Sequence, residues 1–238
     1  MVVKPITTME GMDMDARTRN GKRCRLAARC LITLLCMALA AVTPNVASAE
    51  EQTILLARPQ TDRNPLLQLL MKRESSRAFA PEPLPSNVLS NLLWAAAGIN
   101  RPDSGRRTAP TANNRQEIDV YAATAGGLYL YDAKPHALKL ILAKDIREMT
   151  GRQAFVKDAA VNLVYVADIA GSGAEEERTL YAAAATGFIS QNVYLYCASE
   201  GLATVVRAAM DRPALAEAMK LRPNQRIILA QSVGYPKR

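Results

Sequence analysis

Residues 181–197, YAAAATGFISQNVYLYC, decide the fold, because they form most of the longest predicted helix, which runs from Glu175 to Gly201. Apolar side chains recur on nearly every side of this helix. A helix that is apolar all round must be buried all round. A chain of this length rarely encloses such a helix alone, so the pattern predicts a helix at the interface between two subunits. A helix at the centre of a monomer is the alternative.

Shorter elements flank this helix in the sequence. Asn64 can cap a helix that begins at Pro65, where proline suits the first turn. Ser86 begins a second helix, from Asn87 to Gly98, and a long polar loop follows at residues 100–114. Strands are predicted at residues 117–124, 128–131, 137–142, 161–167 and 227–233, and short helices at residues 145–151 and 212–221. Helices and strands mix without a βαβ rhythm, which predicts the α+β class.

The first 49 residues have the pattern of an export signal. Several Lys and Arg residues precede an apolar run, residues 30–42, which is too short to span a membrane comfortably. Ala47-Ser48-Ala49 then matches a signal-peptidase site. We therefore predict a cleaved signal peptide (1–49), a flexible lead (50–63) and one domain (64–238). The protein is expected to be exported to the periplasm without a stable membrane anchor; an uncleaved anchor helix is the alternative.

Removal of this leader changes the charge and the cysteine count. The 238-residue chain has 30 Lys and Arg against 22 Asp and Glu, and residues 50–238 retain 23 against 19. A mild positive excess suits an anionic ligand and does not indicate nucleic-acid binding. Of four cysteines only Cys197 remains, so no intramolecular disulfide is possible, and stability must come from the core or from a partner subunit.

The chain is poor in side chains suited to acid–base catalysis or metal binding. His136 is the only histidine, in a turn-like context that favours the surface. A zinc site is therefore not expected, and no G-x-S-x-G, P-loop or G-x-G-x-x-G motif occurs in the sequence. Cys197 lies in the apolar helix, where a small buried hydrophobe is expected rather than a nucleophile. Abundant Arg, Ser, Thr, Asn and Gln suit a cofactor that supplies its own chemistry.

Residues 72–79, KRESSRAF, form the first polar cluster. Arg73 and Arg77 stand four residues apart with two serines between them. If the preceding helix continues, the guanidinium groups share one of its faces; if it ends here, the same residues form a basic, hydroxyl-lined turn. Either arrangement can hold a phosphate through charge-assisted hydrogen bonds. An exposed basic helix end, which suits the helix dipole, is the alternative.

Two further polar clusters follow. Residues 108–116, TAPTANNRQ, bring amide side chains to the start of a strand, where they can read the donors and acceptors of a flat heterocycle. An ordinary turn rich in Asn and Thr is the alternative. Lys237 and Arg238 close the chain, and basic residues at a terminus are usually just solvated.

The order of these clusters resembles that of the FMN-dependent nitroreductase family. The shared landmarks are Arg73-x-Ser75-x-Arg77-x-Phe79, Pro110-Thr111-x-x-Asn114-x-Gln116, the helix from Gly187 to Gly201-Leu202, and Val233-Gly234-Tyr235-Pro236. The resemblance covers residues 64–238. The sequences of residues 100–121 and of the long helix are similar to those of the branch of azoline (SagB-type) dehydrogenases. The resemblance implies a central, mostly antiparallel sheet flanked by helices, with the long helix buried at the interface of a homodimer that holds two FMN sites.

The resemblance also implies which residues bind the cofactor. They are Arg73, Ser75, Arg77, Asn114, Gln116, Ala208, Lys237 and Arg238. Arg73 and Ser75 would bind the ribityl phosphate, aided by a basic residue near the carboxy terminus. Asn114 would contact the isoalloxazine ring, and Gln116 would support its loop.

Two more contacts and one departure complete the implied site. Arg77 would face the N1/O2 edge of the ring, where a cation stabilises the anionic reduced flavin. A backbone N–H near Ala208 would approach flavin N5. Glu74 stands where the family more often has Arg or His, and so brings a carboxylate near the phosphate site.

The implied activity is ping-pong hydride transfer through FMN, with no catalytic protein side chain. Electrons would come from NAD(P)H or another donor and pass to a small-molecule acceptor such as a nitroaromatic or a quinone. A dehydrogenase or oxidase of a peptide-linked heterocycle is one alternative. A non-catalytic envelope protein that has kept the fold and lost the flavin is the other.

Overall fold

A computed structural model describes residues 53–171 and 174–237. The predicted signal peptide (1–49) and Arg238 lie outside these residues. The chain divides into two units after Ala57. In the first unit the described residues, 53–57, are exposed and carry neither helix nor strand. Among all described residues, no helix is both long enough and apolar enough to cross a membrane.

The second unit contains every described helix and strand. The α-helices are Pro65–Lys72 (α1), Ser86–Ala97 (α2), Glu175–Glu200 (α3) and Arg212–Ala218 (α4). The strands are Ile99–Arg101 (β1), Arg106–Arg107 (β2), Ile118–Thr124 (β3), Gly127–Asp132 (β4), Ala137–Leu142 (β5), Val161–Asp168 (β6), Ala203–Arg207 (β7) and Gln225–Gly234 (β8). This arrangement confirms the α+β class predicted from the sequence.

Six strands form one sheet in the order β5-β4-β3-β6-β8-β7, and each neighbouring pair is antiparallel. β6 lies near the centre and is buried along nearly its whole length, as its continuous apolar sequence predicts. β7 lies at one edge of this sheet, so the outer side of its backbone remains available to other groups. β1 and β2 pair in a separate two-stranded sheet.

The sheet separates two clusters of buried side chains. One cluster lies against α2 and α3 and includes Leu92, Leu163 and Val193. The other includes Val164 and Leu215, which lies on α4. Leu163 and Val164 are consecutive residues of β6, and they point to opposite faces because side chains alternate along a strand.

The long helix α3 buries one face within its own chain. The buried residues are Ala182, Ala185, Thr186, Ile189, Ser190, Val193 and Cys197. On the opposite side, Leu180, Tyr181 and Phe188 are 67%, 39% and 48% exposed. The single chain therefore covers only half of the helix that its sequence marks as apolar all round, and an apolar stripe is left uncovered.

Several local predictions are corrected by the structure. The polar loop predicted at residues 100–114 contains the small β1–β2 sheet. β7 was not predicted, because five residues that directly follow the helix-terminating Gly201 give too short a pattern to recognise. The helix predicted at residues 145–151 is only a 3-10 turn, Arg147–Thr150. α4 ends before the predicted limit of Leu221.

Candidate functional site

The first polar cluster, residues 72–79, continues from the end of helix α1 as an extended segment. α1 begins where predicted, with the Asn64 side chain accepting backbone hydrogen bonds from Leu66 and Leu67. It ends at Lys72, and Arg73 has extended backbone angles of φ −62° and ψ 118°. The alternatives of a continued helical face and a basic turn are therefore both replaced by an extended strand-like segment.

Backbone hydrogen bonds attach this segment to the edge of the sheet and to the carboxy-terminal residues. The Ser76 N–H donates to the Thr204 carbonyl of β7 at 2.9 Å. The Lys237 N–H donates to the Ala78 carbonyl at 3.1 Å, and a bridge joins Phe79 to Pro236. Lys237 is thereby brought beside the cluster that contains Arg73, although the two are far apart in sequence.

Alternate residues of the segment have different surroundings. Lys72, Glu74 and Ser76 line a cavity of about 240 Å³ that also reaches Tyr194 and Pro236. Arg73, Ser75 and Arg77 do not line it. Alternation with a period of two is typical of extended backbone. Glu74 therefore lines the cavity, whereas Ser75 and Arg73 contact Tyr194, which forms part of the cavity wall.

Tyr194 of α3 contacts two of the predicted phosphate ligands. Its hydroxyl lies 2.9 Å from Ser75 Oγ and accepts the Val206 backbone N–H at 3.0 Å. The guanidinium of Arg73 stacks over its ring, with Cζ 5.4 Å from the ring centroid. Sequence reasoning missed Tyr194, because it treated this part of the helix only as apolar; the polar tip of a tyrosine was the available signal.

Among the described residues, no carboxylate forms an ion pair with the cations Arg73, Arg77 and Lys237. Arg73 is half-buried, whereas Arg77 and Lys237 are exposed. Uncompensated cations beside a serine hydroxyl fit a phosphate group, which accepts charge-assisted hydrogen bonds from all of these donors.

The amide cluster forms a second, separate unit. Gln116 Nε2 donates to Asn114 Oδ1 and to the Gly105 carbonyl, both at 3.0 Å. Gln116 Oε1 accepts from Arg107 Nε at 2.9 Å. Asn114 and Gln116 have φ values of 54° and 53°, in the left-handed region that few residues other than glycine adopt readily. The hydrogen bonds of Gln116 hold this loop.

Within one chain the two clusters lie at opposite ends of the sheet. Gln116 precedes Ile118 at the start of β3, whereas Thr204, which binds Ser76, is level through β8 and β6 with Thr124 at the end of β3. Six residue steps along a strand span about 20 Å. No hydrogen bond between described residues joins the loop of Asn114 to the segment of Arg73.

A charged cleft of about 590 Å³ lies at the end of the sheet that carries Gln116. Its charged lining residues are Arg115, Glu117, Asp119, Asp168, Arg178 and Arg222. Arg222 pairs with Asp168 at 2.7 Å, and burial raises the pKa of the Asp119 carboxyl above its usual range. Among the described residues, no group of three or more His, Cys, Asp or Glu side chains is placed to hold a metal ion.

Ala208 lies just beyond β7 and directly follows the buried Arg207. Ala208 is exposed, and the Val206 N–H is already donated to Tyr194. Arg207, between them, is 4% exposed and donates to the Thr150 carbonyl at 2.7 Å and to Asn162 Oδ1 at 2.8 Å. Burial lowers the pKa of Arg207 to about 10, so the guanidinium remains charged at neutral pH.

The contacts of His136 and the burial of Cys197 indicate structural roles for both residues. His136 Nε2 lies 2.7 Å from Ser90 Oγ, and Nδ1 lies 2.8 Å from the Tyr131 hydroxyl, so the exposed ring joins α2 to β4. Cys197 is fully buried, and burial raises the pKa of its thiol to about 12. The thiol therefore stays protonated at neutral pH, which agrees with the predicted hydrophobic role.

Comparisons with known proteins agree on one family. A family profile described as "Nitroreductase family" matches residues 70–235. A crystal structure of a proposed nitroreductase from Ralstonia eutropha JMP134 is 44% identical, covers 77% of this chain and 89% of its own, and has a TM-score of 0.71. A proposed nitroreductase of Methanocaldococcus jannaschii is 26% identical over 189 residues, 71% of this chain and 91% of the relative.

One further structure was crystallised with a flavin. It is a proposed nitroreductase from Desulfovibrio desulfuricans in complex with FMN, 21% identical, with a TM-score of 0.53 over 74% of this chain and 88% of the other. At this level of identity the likeness shows a shared fold. The fold inferred from the polar motifs is therefore confirmed by both sequence and structural relatives.

Proposed function

Since the chain belongs to the nitroreductase family and is therefore an oxidoreductase, we propose that it binds FMN and uses it to reduce a small-molecule acceptor. The observation that carries the proposal is the cationic segment after α1, whose Ala78 carbonyl accepts the Lys237 N–H, so that the carboxy-terminal Lys237 joins the segment that carries Arg73 and Ser75. Arg73 and Lys237 form no ion pair with any described carboxylate.

The proposed residue roles follow the two clusters. Arg73, Ser75 and Lys237 hold the phosphate, with Arg238 as a further candidate outside the described residues. Asn114 faces the flavin ring, and Gln116 holds its loop. For Arg77 and Ala208 we retain the roles inferred from the family resemblance, a cation near the ring and a backbone donor to it.

A second copy of the chain is part of the proposal. The uncovered stripe of α3, formed by Leu180, Tyr181 and Phe188, is apolar and suited to burial against another subunit. Because the amide loop and the cationic segment lie at opposite ends of the sheet, a homodimer offers a way to bring the loop of one subunit toward the segment of its partner.

The flavin would supply the redox chemistry: ping-pong hydride transfer from NAD(P)H or another donor to a nitroaromatic, a quinone or a similar acceptor. The chain's own residues bind the phosphate, orient the ring and provide positive charge. We propose that the protein is exported to the periplasm. Because the periplasm offers little NAD(P)H, another electron donor is required there. Oxidation of a peptide-linked heterocycle is the second candidate reaction, supported by the sequence similarity to azoline dehydrogenases.

The test of flavin binding is the absorbance of the chain purified from its own host. We expect a yellow protein with the visible absorbance of a bound flavin, and release of FMN rather than FAD or riboflavin on denaturation. A colourless preparation that binds no added FMN would support the non-catalytic alternative and refute the proposal.

The second expected outcome concerns the subunit state. At micromolar concentration we expect a dimer by light scattering, and we expect Phe188→Asp to shift the chain toward monomer, since a buried charge in an apolar interface is strongly unfavourable. Leu140→Asp is the matched control, because Leu140 is 56% exposed on the edge strand β5. A parent chain that is monomeric under these conditions would contradict the interface.

A further inference from the structure

Tyr194 contacts two of the proposed phosphate ligands, Ser75 and Arg73. It contacts Ser75 Oγ at 2.9 Å and the Val206 N–H at 3.0 Å, and its ring lies under the guanidinium of Arg73. Through this single side chain, helix α3, strand β7 and the extended segment after α1 meet.

We infer that Tyr194 is the positioning residue that orients Arg73 and Ser75 toward the phosphate group of the ligand. This inference rests on the proposed binding of FMN. Tyr194 acts through the two other residues, and its effect is therefore limited to ligands that carry a phosphate.

The hydrogen-bond directions support this role. The Tyr194 oxygen accepts the Val206 N–H, which leaves its hydroxyl proton available to Ser75 Oγ. When Tyr194 donates in this way, the proton of the Ser75 hydroxyl can point to a phosphate oxygen. The ring restricts the guanidinium of Arg73 to one of the many positions that a long side chain can take, which lowers the entropy lost on binding.

A buried hydrogen-bond network supports the strand that Tyr194 contacts. Val206 belongs to β7. Thr204, in the same strand, is 2% exposed and donates to the Ser232 carbonyl at 2.9 Å. Gln231 Nε2 donates to Thr204 Oγ1 at 3.0 Å, and Gln231 Oε1 accepts from the buried Tyr165 hydroxyl at 2.6 Å. A fully hydrogen-bonded buried network holds the strand in place, so the Val206 N–H gives the Tyr194 hydroxyl a fixed reference point.

The sequence alone could not assign this role. Ser75 and Tyr194 are separated by 119 residues, and they meet where the Ser76 N–H donates to the Thr204 carbonyl of β7. Tyr196, two positions further along the same helix, points elsewhere and donates to the Val88 carbonyl at 3.2 Å. It therefore provides a control with the same chemical change on the same helix.

The experiment compares the affinities for FMN and for riboflavin, which lacks the phosphate. The dimeric chain is freed of flavin by dialysis and titrated with each ligand by fluorescence. We expect Tyr194→Phe to weaken FMN binding about tenfold, because two hydrogen bonds are lost, and to change riboflavin binding less than about twofold. Tyr194→Leu, which also removes the stacked ring, is expected to weaken FMN binding about thirtyfold. Tyr196→Phe should alter neither affinity.

The other possible outcomes distinguish a failure of this inference from a failure of the proposed function. If Tyr194→Phe leaves FMN affinity unchanged, or weakens FMN and riboflavin equally while circular dichroism shows an intact fold, the inference is wrong and the proposal of FMN binding stands. If the parent chain binds neither ligand, the proposed function fails and the inference fails with it. If Tyr194→Leu does not fold, Tyr194→Phe alone decides.

Discussion

Replacing Arg73 with alanine is expected to weaken FMN binding about 10- to 100-fold while changing the free energy of unfolding by less than about 1 kcal/mol. Hydrogen bonds to charged groups contribute about 1.5–3 kcal/mol, and each 1.4 kcal/mol corresponds to about a tenfold change in affinity. The stacking of Arg73 on Tyr194 is a small structural contribution by comparison. The measurement is the FMN dissociation constant, together with the amount of FMN that remains with the purified variant.

Arg63→Ala is the matched control for this prediction. Arg63 precedes α1, its side chain is 92% exposed, and its 3.9 Å pair with Asp62 is a surface ion pair of little energetic value. We expect its FMN affinity to remain within about twofold of the parent value. An Arg73→Ala variant that retains full FMN affinity would show that the assignment of the phosphate site to this segment is wrong.

Replacing Arg207 with alanine is expected to lower the free energy of unfolding by about 3–5 kcal/mol. Arg207 is almost fully buried, and its guanidinium donates to Thr150, Asn162 and Ser232. The change leaves a void and removes four donated hydrogen bonds; Asn162 Oδ1 keeps the Ser232 hydroxyl, whereas the Thr150 carbonyl loses the donor of its 2.7 Å bond, and an unsatisfied buried acceptor costs about 1–3 kcal/mol. Urea unfolding at a fixed protein concentration gives the measurement, since the proposed dimer makes stability concentration-dependent.

Two further variants test whether the hydrogen-bond network is the cause. Arg152→Ala removes an exposed arginine nearby and should change the free energy of unfolding by less than about 0.5 kcal/mol. Gly151→Ala should destabilise the chain, because an added Cβ would clash with Nη1 of Arg207. If Arg207→Ala is as stable as the parent chain, the buried cation is not the structural centre that its contacts indicate.

Much of the fold could be predicted from local patterns. The strand predicted at residues 137–142 coincides with β5, and the predicted helix from Glu175 has its terminating glycine, Gly201, in the left-handed conformation expected at a helix end. The Asn64 cap is present as predicted. Such features depend on residues within a few positions of one another, so the sequence displays them directly.

The candidate site could be predicted only as separate clusters. The residue types of Arg73, Ser75 and Arg77 indicated a phosphate site, but their shared side depends on α1 ending at Lys72, which the sequence left open. The distance between this segment and the loop of Asn114 is set by the register of β3, β6, β8 and β7. Strand register across a sheet depends on pairing between distant segments, which no local pattern encodes.

By itself the sequence determined the α+β class, the positions of the main helices and strands, and the chemical character of the cationic and amide clusters, because each follows from periodicity or side-chain type over short stretches. Only the tertiary structure decided that β7 forms the sheet edge, that Lys237 lies beside the segment of Arg73, and that Tyr194 contacts Ser75. The last two contacts join residues more than a hundred positions apart, and they form where the segment after α1 bonds to the backbones of β7 and of the carboxy-terminal residues.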